Sequence, residues 1–204
     1  MGISERKDRE KEDLHKIILN AAREVFLEKG YDQTSIRNIA AKIEYSPTTI
    51  YLYFKDKDAI FYALHMEGFS ALNEKLAVLL NVEDPYERLK AMGKIYLTFA
   101  RENPDLYDLM FVQKSPMESL EDEPWKVGLI SFEGLRMTIE ECIQKGYLDY
   151  DDSEVAAFMI WSAMHGMCVL NNRERCIIIS EDKQEHIIEM GFAAFIKTLD
   201  QFKK

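Results

Sequence analysis

Residues that could carry catalysis are few and scattered. The four histidines, His15, His65, His165 and His186, show no metal-ligand spacing. A helical di-metal centre needs two Glu-x-x-His pairs, and this chain has one, Glu12 to His15. There is no Gly-rich phosphate loop and no G-x-S-x-G nucleophile turn. No catalytic residue, metal or cofactor is therefore expected. The residue types support recognition instead, and they concentrate in Thr34 to Lys57, TSIRNIAAKIEYSPTTIYLYFKDK. Threonine can hydrogen-bond a base edge and touch a thymine methyl, while hydroxyls and lysines suit phosphate oxygens.

Two short helices and the start of a third must position those side chains. Ile36, Ile39, Ala40 and Ile43 recur at spacings of three and four, giving one apolar face. Thr34 or Ser35 can cap that helix. Ser46 followed by Pro47 reads as the N-cap and first residue of the next, with Ile50 and Phe54 on one face. Lys55-Asp56-Lys57-Asp58 ends it, and Asp56 can cap the helix that follows. A helix, a short turn and a second helix rich in small polar and aromatic residues is the layout that lies in a DNA groove.

On these residues the chain resembles the TetR family of transcriptional regulators. The features that carry the resemblance are Phe26, Gly30-Tyr31, Thr34-Ser35, Ile39-Ala40, Tyr51, Tyr53-Phe54 and Lys57, within about residues 12–64. The resemblance implies Arg37, Thr48 and Leu52 at base edges or thymine methyls. It places Thr34, Ser35, Thr49, Tyr53 and Lys57 at phosphates, with Pro47 opening the reading helix. Tyr51 is either a phosphate donor or a packing residue. The turn departs from the family, which usually has glycine where this chain has Glu44 and then Tyr45. Glu44 is then expected at positive φ, with its carboxylate near the DNA backbone.

The charge divides unevenly. Residues 1–58 hold 11 Lys and Arg against 11 Asp and Glu, whereas residues 59–204 hold 15 against 25. The whole net charge of −10 thus lies outside the reader, which argues against bulk nucleic-acid binding and leaves room for a local, salt-sensitive contact. At 204 residues the chain suits a small plus a medium domain, drawn here as 1–57 for the reader and 58–204 for the rest. No stretch of about 18 uninterrupted apolar residues appears, so no membrane span is expected. The charged segment Ser4 to Asp13 does not read as a secretory signal, and the expected location is cytoplasmic. Cys142, Cys168 and Cys176 lack C-x-x-C spacing and read as reduced packing thiols.

The fold class expected is all-α, with about nine helices. A first helix spans about Asp8 to Lys29, its apolar stripe formed by Leu14, Ile17, Ile18, Ala21, Val25 and Phe26. The mixed charges of Ser4 to Lys11 read as a phosphate-touching arm or as a solvated helix end. A long helix from Lys57 to about Leu80 leads out of the reader. Helices then follow at Pro85 to about Glu102 and Asp105 to Val112, with a loop over Gln113 to Pro124. The last three are expected at Trp125–Gln144, stopped by Gly146, at Ser153–Asn172 and at Glu181–Phe202.

Residues 103–111, NPDLYDLMF, and Trp161-x-x-x-His165-Gly166 resemble the C-terminal subtype named for its Trp-His-Gly signature. That resemblance implies a helical domain that binds an effector and dimerises. Tyr96, Phe99, Tyr107, Met110, Phe111, Phe132, Trp161 and His165 either line an apolar pocket with a few polar groups or fill plain core. His165 is an effector ligand, a pH sensor or, most simply, a buried group bonded to a backbone carbonyl. Gly166, with Ala156 and Ala163, allows close helix approach. Met167 and Leu170, with Ile188, Phe192, Phe195 and Leu199, form the apolar stripes expected to build a two-fold four-helix interface. The expectation is a cytoplasmic homodimeric repressor that binds double-stranded DNA at a pseudo-palindrome and is released by a small-molecule effector. The rivals are a helical small-molecule binding protein with a non-functional helix-turn-helix, and an enzyme.

Overall fold

The computed structural model describes residues 3–113 and 125–201, with side chains of residues 3–8 and 10 left out. The loop expected at residues 113–124 falls almost wholly outside them, as do the side chains at the start of the proposed N-terminal arm and the end of the last helix at Phe202. Ten α-helices occur among the described residues, with no strand. They are α1 (Ile3–Gln33), α2 (Ile36–Lys42), α3 (Pro47–Tyr51), α4 (Lys57–Ala77), α5 (Pro85–Glu102), α6 (Pro104–Phe111), α7 (Lys126–Gln144), α8 (Ser153–Asn172), α9 (Glu181–Gln184) and α10 (Ile187–Asp200). Short 3-10 turns occupy Val78–Asn81 and Arg175–Ile178.

The helix ends follow from their residues. Gly30, at φ 74 and ψ 174, breaks α1 just after the expected end at Lys29. Asp84 caps α5 by accepting from the backbone N–H groups of Tyr86 and Glu87, at 2.8 and 3.0 Å, with Pro85 in the first turn. Asp152 caps α8 in the same way, accepting from Glu154 and Val155. Gly146, at φ 72, closes α7 as expected. The last expected helix is instead two, α9 and α10, separated at Glu185 and His186.

The chain clusters into two compact units. One falls within Met1–Gly68 and Asp108–Pro124, the other within Phe69–Tyr107 and Trp125–Lys204. In the first, α1 packs on α2 and α2 on α3, around the buried Ile18, Ile39, Ile50, Ile60 and Phe61. Phe61 meets Phe26 and Tyr31 edge-on at 5.4 and 4.7 Å. The α1 stripe is buried as expected at Ile18, Ala21, Val25 and Phe26, whereas Ile17 is exposed and Leu19 and Ala22 join the buried face.

In the second unit α5, α7 and α8 pack mutually, and α10 lies against α5 and α8. Their core contains Tyr86, Leu89, Ile139, Cys142, Ala157, Ile160 and Leu199. Each large apolar side chain buried there contributes about 1.5–3 kcal/mol. Two of the residues expected on an intersubunit face belong to this interior. Leu199 is in the core cluster, and Phe192 is buried against Gly93, where an added Cβ would stand 2.6 Å from its ring. Gly166 is corrected in the opposite sense: a Cβ there would meet nothing within 4 Å, so it mediates no close approach inside the chain. Among the described residues α8 is also the one helix long and apolar enough to cross a membrane, and one of its faces is core.

Candidate functional site

The helix-turn-helix is built by short-range chemistry. Ser35 caps α2, its Oγ accepting from the Asn38 N–H at 3.2 Å. Ser46 caps α3, accepting from the Thr49 N–H at 3.1 Å and lying 2.9 Å from the Thr49 hydroxyl. Between them Glu44 takes φ 58, the positive value expected at this position. Its N–H donates to the Ala41 carbonyl, and that of Tyr45 to Ala40. These two bonds are the pair that ends a helix on a left-handed residue.

This scaffold turns one surface outward. Arg37, Pro47, Thr48, Tyr51 and Leu52 are exposed, and Leu52 reaches 75 %. A leucine so exposed on a helix whose Ile50 is wholly buried marks the outer face of α3. Thr49 and Tyr53 are half-buried. Thr34 is placed differently from expectation: it is buried, and its hydroxyl donates to the Gly30 carbonyl at 2.8 Å, holding the α1 end. Lys57 is engaged from behind, its Nζ donating to the Tyr31 carbonyl at 3.1 Å and standing 3.9 Å over the Tyr31 ring. Lys42 is bound to Glu24 and Glu28, at 3.1 and 2.8 Å, which raises its pKa chiefly through the hydrogen bond to Glu28. Tyr45 and Lys55 are exposed beside this surface and were missed by the sequence reading. The left-handed turn just before Tyr45 is the signal that could have found it.

In the second unit the structure gathers five of the eight expected effector residues. The Trp161 indole N–H donates to the Tyr96 hydroxyl at 3.0 Å. The Tyr96 and Tyr107 hydroxyls are 2.7 Å apart, and the Tyr107 hydroxyl is 2.6 Å from His165 Nδ1. Phe132 meets Trp161 edge-on at 6.1 Å. Phe99 is buried on α5, and Met110 and Phe111 fall in the other unit.

Electrostatics keep the cluster neutral. Burial pushes both tyrosine hydroxyls above their ordinary range, and burial lowers the His165 pKa. One proton arrangement then satisfies all three short contacts: Trp161 to Tyr96, Tyr96 to Tyr107, and Tyr107 to His165 Nδ1 as acceptor. His165 thus takes a tyrosine hydroxyl on Nδ1, rather than depending solely on a backbone carbonyl. Cys168 lies one turn beyond His165 on α8, and burial pushes its thiol up to about 12. Trp161, His165 and Cys168 recur at helical spacing in the sequence. Neutral donors inside an aromatic wall can orient a polar group of a small molecule.

Comparison with known proteins agrees with both units. Residues 18–64 match bacterial regulatory proteins of the tetR family, and residues 89–195 match the tetracyclin repressor-like C-terminal domain. The chain is 34 % identical over 84 residues to the fatty acid metabolism regulator protein of Bacillus subtilis, a match covering 41 % of each chain. It is 22 % identical over 174 residues to the transcriptional regulator YobS of the same organism, covering 85 % of this chain and 84 % of that one. The first match therefore spans about two fifths of its relative's length. The solved structure of the fatty acid degradation regulator FadR from Bacillus halodurans shares the fold, with a TM-score of 0.68 at 21 % identity over 92 % of both chains. With the C-terminal match covering more than half of its residues, the chain belongs to the TetR family of bacterial regulatory proteins.

Proposed function

We propose that this chain is a cytoplasmic, effector-controlled repressor that binds a pseudo-palindromic operator as a homodimer, with residues 1–57 as reader and 58–204 as effector and dimerisation part. The observation that carries it is the capped helix-turn-helix presenting Thr48 and the 75 %-exposed Leu52 from one face of α3. Arg37, Thr48 and Leu52 meet base edges; Ser35, Pro47, Thr49, Tyr51, Tyr53 and Lys57 meet the backbone. The effector occupies the neighbourhood of the Tyr96, Tyr107, Trp161 and His165 cluster. The Trp-His-Gly subtype rests on residues 103–111 together with Trp161, His165 and Gly166.

The dimer face is the apolar stripe that the chain leaves uncovered: Val155, Phe158, Met159 and Leu170 on α8, with Met190 on α10. Gly166, open on the same helix, permits close approach of a second copy. The effector acts by changing the separation of the two readers, which must match about one helical turn of DNA or a multiple. This requires that it bind the two states with different affinity. Helix α4 runs unbroken from Lys57 to Ala77, from the reader into the C-terminal part, and is the relay.

The test is selection of bound duplexes from a random pool at two salt concentrations. The expected outcome is an enriched palindrome whose binding weakens as salt rises. A folded dimer that enriches no sequence at low salt would favour the small-molecule binding protein instead.

A further inference from the structure

An open cleft of about 670 Å³ lies within the C-terminal unit, walled by α5, α8 and α10. That is the size of ordinary small-molecule sites. Its floor is apolar and includes the buried Leu97 and Phe192. Its walls carry four cations, Lys90, Lys94, Arg101 and Lys197, against two carboxylates, Glu185 and Glu189. The surrounding sequence has the opposite sign, with 25 acids against 15 bases over residues 59–204.

Part of the cleft's charge is already neutralised. Arg101 holds Glu189 at 2.7 Å, and Lys90 pairs with Glu87 on its own helix. Lys94 and Lys197 form no ion pair among the described residues, and they stand on facing helices. Two uncommitted ammonium groups, against the one carboxylate left at Glu185, above an apolar floor match a ligand with an anionic head and an apolar body. An uncharged apolar ligand would leave the ammonium groups unused, and a cation would be repelled.

We propose that this cleft binds an amphipathic anion, its carboxylate or phosphate head held between Lys94 and Lys197 and its chain lying on Leu97 and Phe192. The site is separate from the Tyr96, Tyr107, Trp161 and His165 cluster. Cys168 lines the cleft from α8, one turn beyond His165 of that cluster. The inference rests on the cleft alone and stands whether or not the chain reads DNA.

The test is calorimetric titration of the full-length chain, without DNA, with dodecanoate, dodecyl phosphate, dodecyltrimethylammonium and inorganic phosphate. The two amphipathic anions are expected to bind, more weakly as salt rises and with a negative heat-capacity change. The tighter of the two identifies the head group. Replacing both cations, Lys94→Gln with Lys197→Gln, should weaken both anions about tenfold. Lys75→Gln, an exposed lysine of the same unit that does not line the cleft, should leave their affinity unchanged. Lys94 and Lys197 are exposed, so the double variant should fold normally. The proposal is overturned if the cationic amphiphile binds as tightly, if inorganic phosphate matches dodecyl phosphate, or if the lysine substitutions change nothing.

Discussion

The backbone N–H of Tyr45 donates to the carbonyl of Ala40 at 3.0 Å, and that bond requires Glu44 between them to be left-handed. The corresponding bond at the end of α7, Tyr147 to Cys142 at 2.8 Å, spans Gly146, a residue with no Cβ to strain. The left-handed conformation costs a residue with a side chain about 1–2 kcal/mol, while glycine loses more chain entropy on folding. Glu44→Gly is therefore expected to stabilise the chain by about 1 kcal/mol in denaturant unfolding. It also removes a carboxylate from beside the reader, so non-specific DNA affinity should rise. A destabilised variant would show that Glu44 makes a compensating contact.

The residues proposed to meet base edges and those proposed to meet phosphates should fail differently. Thr48→Ala or Arg37→Ala is expected to relax preference at a single operator position by about 1–3 kcal/mol. Lys57→Gln should weaken all sequences together and flatten the salt dependence by about one charge. Competition binding on an operator and its single-base variants separates these outcomes. Equal discrimination by the Thr48→Ala protein would remove Thr48 from the base contacts.

The reader was legible because its determinants are local. Caps at Ser35 and Ser46, Pro47 in the first turn and the turn at Glu44 are each fixed by residues within a few positions. The neutral cluster was legible in part. Trp161 and His165 share one helix face, but their partners Tyr96 and Tyr107 are 65 and 58 residues away, a pairing that only tertiary packing creates. Which apolar stripe would stay uncovered was not legible. Phe192 and Met190 are equally apolar in the sequence, and Phe192 is buried because Gly93 leaves room for its ring.

The hydroxyl of Tyr107 is the centre of the cluster, placed between Tyr96 and His165. Tyr107→Phe keeps the ring and leaves buried polar atoms of its neighbours short of a partner. The expected cost is about 1–3 kcal/mol in denaturant unfolding. Effector response should be lost together with that stability, while operator binding without effector persists. A Tyr107→Phe protein of unchanged stability would mean that water replaces the hydroxyl.

Two histidines make stability depend on pH near neutrality. Burial lowers the pKa of His65, a hydrogen bond to the Leu109 backbone partly opposing it, and burial lowers that of His165. In the unfolded chain both rings take up a proton near the ordinary histidine value of about 6.5, whereas in the fold they do so only at lower pH. The unfolded state then binds more protons, so the stabilisation is complete above about pH 6.5 and is lost as pH falls below it. The melting temperature should drop between about pH 7.5 and 5.5, before most carboxylates titrate. The doubly substituted His65→Gln, His165→Gln protein should show a flatter profile over that interval. An unchanged slope would assign the effect to other groups.

Phe158 and Phe192 give opposite expectations for the same kind of change. Phe158 is 60 % exposed on α8 among other uncovered apolar residues, whereas Phe192 is buried within its own chain. A carboxylate at Phe158 is solvated in a lone chain but desolvated at an apolar interface, so Phe158→Asp should yield a folded monomer. That monomer should also lose the palindromic operator, since half of the contacts go with the partner. Phe192→Ala should instead cost about 3–5 kcal/mol of stability, with the association state kept as long as the chain is folded. Light scattering on size-fractionated samples, read beside thermal melts, distinguishes the two. A Phe158→Asp protein that stays dimeric would place the interface away from the α8 stripe.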